Sequence, residues 1–183
     1  MKITPRLLVV CLLMAVISSG VSLIYVSAQS VSMTDQQIDK IRTNCVSAKN
    51  TLNQLHASDA LLRVNRGQIY ESMSTKLMNR FNSRVANNSF NNNNLTIVTA
   101  SYESTLDTFR SDYIAYEERL SSTLAIDCSK QPVAFYDAIS SARTERNKVH
   151  TDILKLNSYI DQYQLAVAQF EKDFKTSSSG VKK

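Results

Sequence analysis

Between residues 21 and 179 the chain holds one glycine, Gly67, and one proline, Pro132. Sheet folds use these residues at nearly every tight turn, so a sandwich or a doubly wound sheet has almost no turn chemistry to draw on here. Long helices are what remains. The 183 residues amount to a single domain once any targeting segment is set aside.

Apolar spacing supports helices and locates them. Thr34 stands three residues ahead of Gln37, a capping box with Asp35 favourably placed in the first turn. From there Ile38, Ile41, Cys45, Ala48, Leu52 and Leu55 recur three and four apart, the stripe of a helix packed along a seam. The stripe then turns polar at Asp59 and Arg66 before Leu62, Ile69, Met73, Leu77 and Phe81 resume it. Helix one is expected over about 34–84, with a kink where Ser58, Asp59 and Gly67 weaken it.

Six of the eight residues from Asn87 to Asn94 are asparagine, a composition that leaves helices easily. Helix two is expected over 95–127, where Val98, Tyr102, Leu106, Phe109, Tyr113, Tyr116 and Leu120 hold the seam. Pro132 fits the first turn of helix three, expected over 132–174 with Ile139, Ala142, Val149, Ile153, Leu156 and Tyr163 on its stripe and Arg146 as the polar interruption. The polar stretch 175–183 reads as a flexible tail.

Short loops between amphipathic helices favour antiparallel neighbours. The expected fold is therefore all-α: an elongated antiparallel three-helix bundle over 34–174 with coiled-coil-like packing. An intermolecular coiled coil through helix three is the alternative.

The first 28 residues carry the compartment. Lys2 and Arg6 precede twenty uncharged residues, Leu7 to Val26, which open on LLVVCLLMAVI. That is a signal peptide, or an anchor just long enough to span a bilayer. Val26-Ser27-Ala28 offers small residues for cleavage, and the positive-inside bias sends everything after Ala28 outward in either case. The membrane is thus a partner through residues 1–28 if they are retained. Net charge is +5, but Lys2, Arg6, Lys182 and Lys183 supply four of those charges. The nearly neutral body lacks the single-signed surface of a nucleic-acid binder, and no nucleic-acid partner is expected.

An exported pair of cysteines is more often a disulfide than a metal or redox site, so Cys45 and Cys128 are expected to bond at one end of the bundle. In that register helix one must bend to absorb roughly 12 Å of excess length. The same register sets Asp59 level with Arg146, and Arg66 level with Asp107. These four form an expected buried polar layer that fixes helix register, as buried polar residues do in coiled coils.

Chemistry-bearing motifs are scarce. His56 and His150 fall on the order of 10 Å apart, lack the glutamate spacing of di-iron bundles, and read as solvated. Glu117 and Glu118 read as a solvated face. No HExxH, GxSxG, Walker or GxGxxG pattern occurs in the sequence. Catalytic, cofactor and metal residues are accordingly expected to be absent.

The segments LHASDALLRVNRGQIYESMSTKLMNRF (55 to 81), YEERLSSTLAIDCSKQPVAFYDAI (116 to 139) and ARTERNKVH (142 to 150) resemble those of uncharacterised exported helical proteins of candidate phyla radiation bacteria, Saccharibacteria among them. The resemblance implies a source and no activity. The expected function is a non-enzymatic structural or interaction module of the cell envelope, its partner another envelope or surface protein. The alternative is an exported holdase resembling the Skp chaperones.

Overall fold

A computed structural model describes residues 33 to 179, and every regular element among them is helical. In chain order these are α1 (Asp35–Thr43), α2 (Cys45–Ser72), a π-helical segment (Met73–Met78), α3 (Asn79–Asn87), α4 (Asn93–Ala125) and α5 (Pro132–Ser179). The expected signal or anchor, residues 1–28, lies outside the described residues. No described helix is long and apolar enough to cross a membrane.

The capping box forms as expected. The Gln37 amide donates to the Thr34 hydroxyl at 3.3 Å, and the Thr34 amide donates to the Gln37 side chain at 2.9 Å. Helix one is nevertheless not one helix. It breaks at Asn44, whose side-chain amide donates to the Lys40 carbonyl at 2.9 Å, and widens to a π-helix at Met73. The expected flexible tail is helical as far as Ser179. Its last turns are held by a Lys175–Glu171 pair and by the Thr176 and Ser177 hydroxyls, which donate to the carbonyls four residues back.

Cross-contacts set three levels along the helices. Cys45, Cys128 and Phe135 pack together at one end. Asp59, Tyr116 and Arg146 meet midway. Asn82, Thr99 and Tyr163 meet towards the other end. Numbers rise along α2–α3 and α5 as they fall along α4, so α4 runs opposite to both. Closest packing is between α4 and α5, whose expected stripes are realised: Val98, Tyr102, Leu106, Phe109, Tyr113, Tyr116 and Leu120 are all buried, facing Ala142, Val149, Leu156 and Tyr163.

The stripe of helix one is realised as far as Asp59 and again at Met73 and Phe81, which pack partly buried against the core. Leu62, Ile69 and Leu77 are exposed, and Tyr70, Ser74, Met78 and Asn82, each four residues on from the last, are buried in their place. A π turn closes at i+5, so an arm containing one cannot follow a stripe of three-and-a-half-residue steps. Two tyrosines from neighbouring helices bracket the wide turn. The Tyr102 hydroxyl donates to the Tyr70 carbonyl at 3.0 Å and the Tyr163 hydroxyl to the Met78 carbonyl at 3.2 Å.

Cys45 and Cys128 are bonded, with their Cα atoms 5.5 Å apart. From that bond to the asparagine turn the arm runs through elements of 28, 6 and 9 residues, against 33 in α4. Ten extra helical residues are about 15 Å. In its middle, residues 61–69, almost every side chain is exposed, so the arm stands off from the α4–α5 pair there.

Candidate functional site

Where α2 stands off, a cleft of about 200 Å³ opens between α2, α4 and α5. Its floor is apolar and aromatic: Phe109 and Tyr113 from α4, Val149 and Ile153 from α5. Its rim is basic, with Arg63 and Arg66 from α2 and Arg146 and His150 from α5, and Asp59 is its one carboxylate.

Asp59 lies where the stripe calls for an apolar residue, and its own side chain is 10% exposed. It accepts from Arg146 through Nε at 2.8 Å and a second guanidinium nitrogen at 3.2 Å, and from the Tyr116 hydroxyl at 2.8 Å. Burial pushes the Asp59 carboxyl up, but the hydrogen bonds from Arg146 and Tyr116 outweigh it and hold the group below the ordinary carboxylate range. Burial, then the hydrogen bond to Asp59, pushes the Tyr116 hydroxyl well above its ordinary value. Arg146 spends one edge of its guanidinium on Asp59, and half of its side chain stays in solvent.

A second polar set stands beside the first. His56 Nε2 lies 2.9 Å from one Glu117 oxygen, and the Tyr113 hydroxyl donates to the other at 2.8 Å. Burial raises the Glu117 carboxyl, yet its bonds to His56 and Tyr113 carry it below its ordinary value. His56 and Glu117 are therefore partnered and half-buried, where the sequence suggested solvated groups. Glu118 is exposed and His150 lies at the cleft rim. Arg63 covers the Tyr113 ring, its guanidinium carbon 4.8 Å from the centroid.

Of the four residues expected in a buried polar layer, the structure brings Asp59 and Arg146 together, and only Asp59 is buried. Arg66 and Asp107 do not pair. Asp107 is taken by Arg110 on its own helix at 2.6 Å, and Arg110 also reaches Glu71. Arg66 is left on the cleft rim with no carboxylate within ion-pair distance among the described residues. The cause is the stand-off of α2, which carries Arg66 away from the level it would occupy on a straight helix.

Among the buried polar groups that sequence reasoning missed are Asn82, Thr99 and Asp152. Asn82 donates to the Thr99 hydroxyl at 2.9 Å and accepts from the Tyr163 hydroxyl at 2.8 Å. Asp152 is 2% exposed on the inner face of α5, with Lys155 3.6 Å from one oxygen and no hydrogen-bond partner for the other. Burial and the nearby charge of Asp112 push its carboxyl up. Each sits beside an expected stripe position (Phe81, Val98 and Ile153) and so is legible only once the stripe is widened to three positions per heptad.

Among the described residues, no three His, Cys, Asp or Glu side chains come together in a way that could hold a metal ion. No family model, curated protein or solved structure matches the chain.

Proposed function

We propose that this chain is a non-enzymatic binding module of the cell envelope, an antiparallel three-helix bundle exported from the cytoplasm, and that it binds through the central cleft. The supporting observation is that the cleft walls are pinned before any ligand arrives. Asp59, Tyr116 and Arg146 are locked in one hydrogen-bonded set, and Tyr113, Glu117 and His56 in another. Rigid walls around an open apolar floor are what a binding site needs, since little ordering entropy is lost when the ligand enters.

The groups on offer hold rather than attack. The carboxylates of Asp59 and Glu117 are each engaged by two donors, and the guanidiniums of Arg63, Arg66 and Arg146 offer N–H donors and no acceptor. Export is supported by the Cys45–Cys128 bond, since such bonds persist in oxidising compartments.

Site-specific photocrosslinking tests the reading. A benzophenone side chain placed at Leu62 on the cleft rim of the full chain, in its native envelope, is expected to capture a discrete partner. The same group at Leu165, exposed far along α5, is expected to capture none. Equal labelling from both positions would refute the cleft as the binding surface. If the full chain instead suppresses aggregation of unfolded clients at substoichiometric amounts, a holdase becomes the better description.

A further inference from the structure

The cleft has a chemistry of its own. Three guanidiniums surround it against one carboxylate, and that carboxylate already accepts three hydrogen bonds from Tyr116 and Arg146. Glu117, the nearest other acid, is taken by His56 and Tyr113 and only partly offsets Arg63. Arg66 has no ion pair among the described residues, Arg63 has only the face of Tyr113, and Arg146 keeps N–H groups beyond the two bonded to Asp59. Such donors converge on planar or tetrahedral anions, which they bind with two N–H groups at once.

Behind the cations the surface changes character. Phe109, Val149 and Ile153 give the floor a dry face with no charge to satisfy. At about 200 Å³ the space lies below the roughly 300–1,000 Å³ of drug-sized pockets, enough for one short chain and not for two.

We propose that the cleft binds a single-chain anionic amphiphile, its phosphate or carboxylate head held by Arg63, Arg66 and Arg146 and its hydrocarbon body laid on Phe109, Val149 and Ile153. This rests on the cleft being the binding surface and adds the ligand's class. Head and body contribute separately. The head group supplies charge-assisted hydrogen bonds, and each methylene buried on the floor adds its own transfer free energy.

Titration of isotope-labelled full chain with octyl phosphate, 1-octanol and inorganic phosphate, followed by amide shifts, tests both parts. Octyl phosphate is expected to shift cleft residues and to bind at least tenfold more tightly than either of the others. Arg63→Gln with Arg66→Gln, both exposed and away from the Asp59 set, is expected to weaken octyl phosphate at least tenfold. Arg143→Gln, which removes a charge outside the cleft, is expected to change it less than twofold.

Octanol binding as tightly as octyl phosphate would overturn the anionic head and leave the cleft as a binding surface. Inorganic phosphate binding as tightly would overturn the apolar body. Sedimentation with phosphatidylglycerol vesicles but no response to free octyl phosphate would overturn the single-chain ligand in favour of a bilayer. No cleft shift with any probe would overturn the proposal, while a partner crosslinked at Leu62 would still stand.

Discussion

Asp59 shows how one misplaced charge becomes structural. Removing it leaves the buried Tyr116 hydroxyl without an acceptor and Arg146 without its partner. Asp59→Ala is therefore expected to cost about 2–3 kcal/mol in denaturant unfolding, discounted because Arg146 is half in solvent. Replacing Asp59 and Arg146 together by leucine still strands the Tyr116 hydroxyl. The triple change that adds Tyr116→Phe is expected to recover most of the loss, and triple and single variants of equal stability would show that the three do not act as a set. Asp152 is the opposite case. Its folded pKa is raised, so the native state binds the proton more tightly than the unfolded chain does, and stability rises as pH falls through that pKa towards the ordinary carboxylate value. Asp59, with its pKa lowered, contributes stability that is present above the ordinary carboxylate pKa and lost as pH falls through its folded value. The contribution of these two groups to the unfolding free energy is thus expected to peak near the ordinary carboxylate pKa, between the two folded values. Asp152→Asn should stabilise the chain at pH 7 by on the order of 1 kcal/mol and have a vanishing effect near pH 4, as measured by urea titration at each pH.

At the scale of the element, α4 and α5 were legible because their stripes run on, broken only at Arg146, and each buries one face against the other. Helix one was legible to Asp59 and, past it, only at Met73 and Phe81. Beyond it the pattern admits two phases, Leu62–Ile69–Leu77 or Tyr70–Ser74–Met78, and the more apolar set is the wrong one. What selects the second is tertiary: the Tyr102 and Tyr163 hydroxyls, lying on other helices, take the carbonyls of Tyr70 and Met78. No local propensity encodes that choice. The bend that opens the cleft was expected from the length excess of helix one, and Asp59 and Arg146 at its edge were found from register alone, but which side chains the bend leaves facing the gap was not legible. Tyr163→Phe removes the acceptor's partner at Asn82 as well as the Met78 bond, and is expected to cost about 1–3 kcal/mol with increased amide exchange across 73–78. Gly67, in mid-helix with nothing within 4 Å of a would-be Cβ, offers the reverse test. Gly67→Ala is expected to raise stability by about 0.5–1 kcal/mol in thermal or urea unfolding.

Across the whole molecule, the disulfide joins residues 83 apart in sequence and encloses α2, the π segment, α3 and α4. In the chain-entropy picture a loop of that size stabilises by about 4 kcal/mol, so reduction is expected to lower the urea midpoint markedly. The bond also decides how tension crosses the molecule. A pull applied to α1 and to the end of α5 passes from Cys45 straight to Cys128 and on along α5, so the backbone of α2, α3 and α4 inside the closed loop is bypassed, while α5, which carries Arg146, Val149 and Ile153 of the cleft, stays in the path. Stretched one molecule at a time, the oxidised chain should extend about 280 Å less than the reduced one, the contour of the 83 residues withheld at roughly 3.4 Å each.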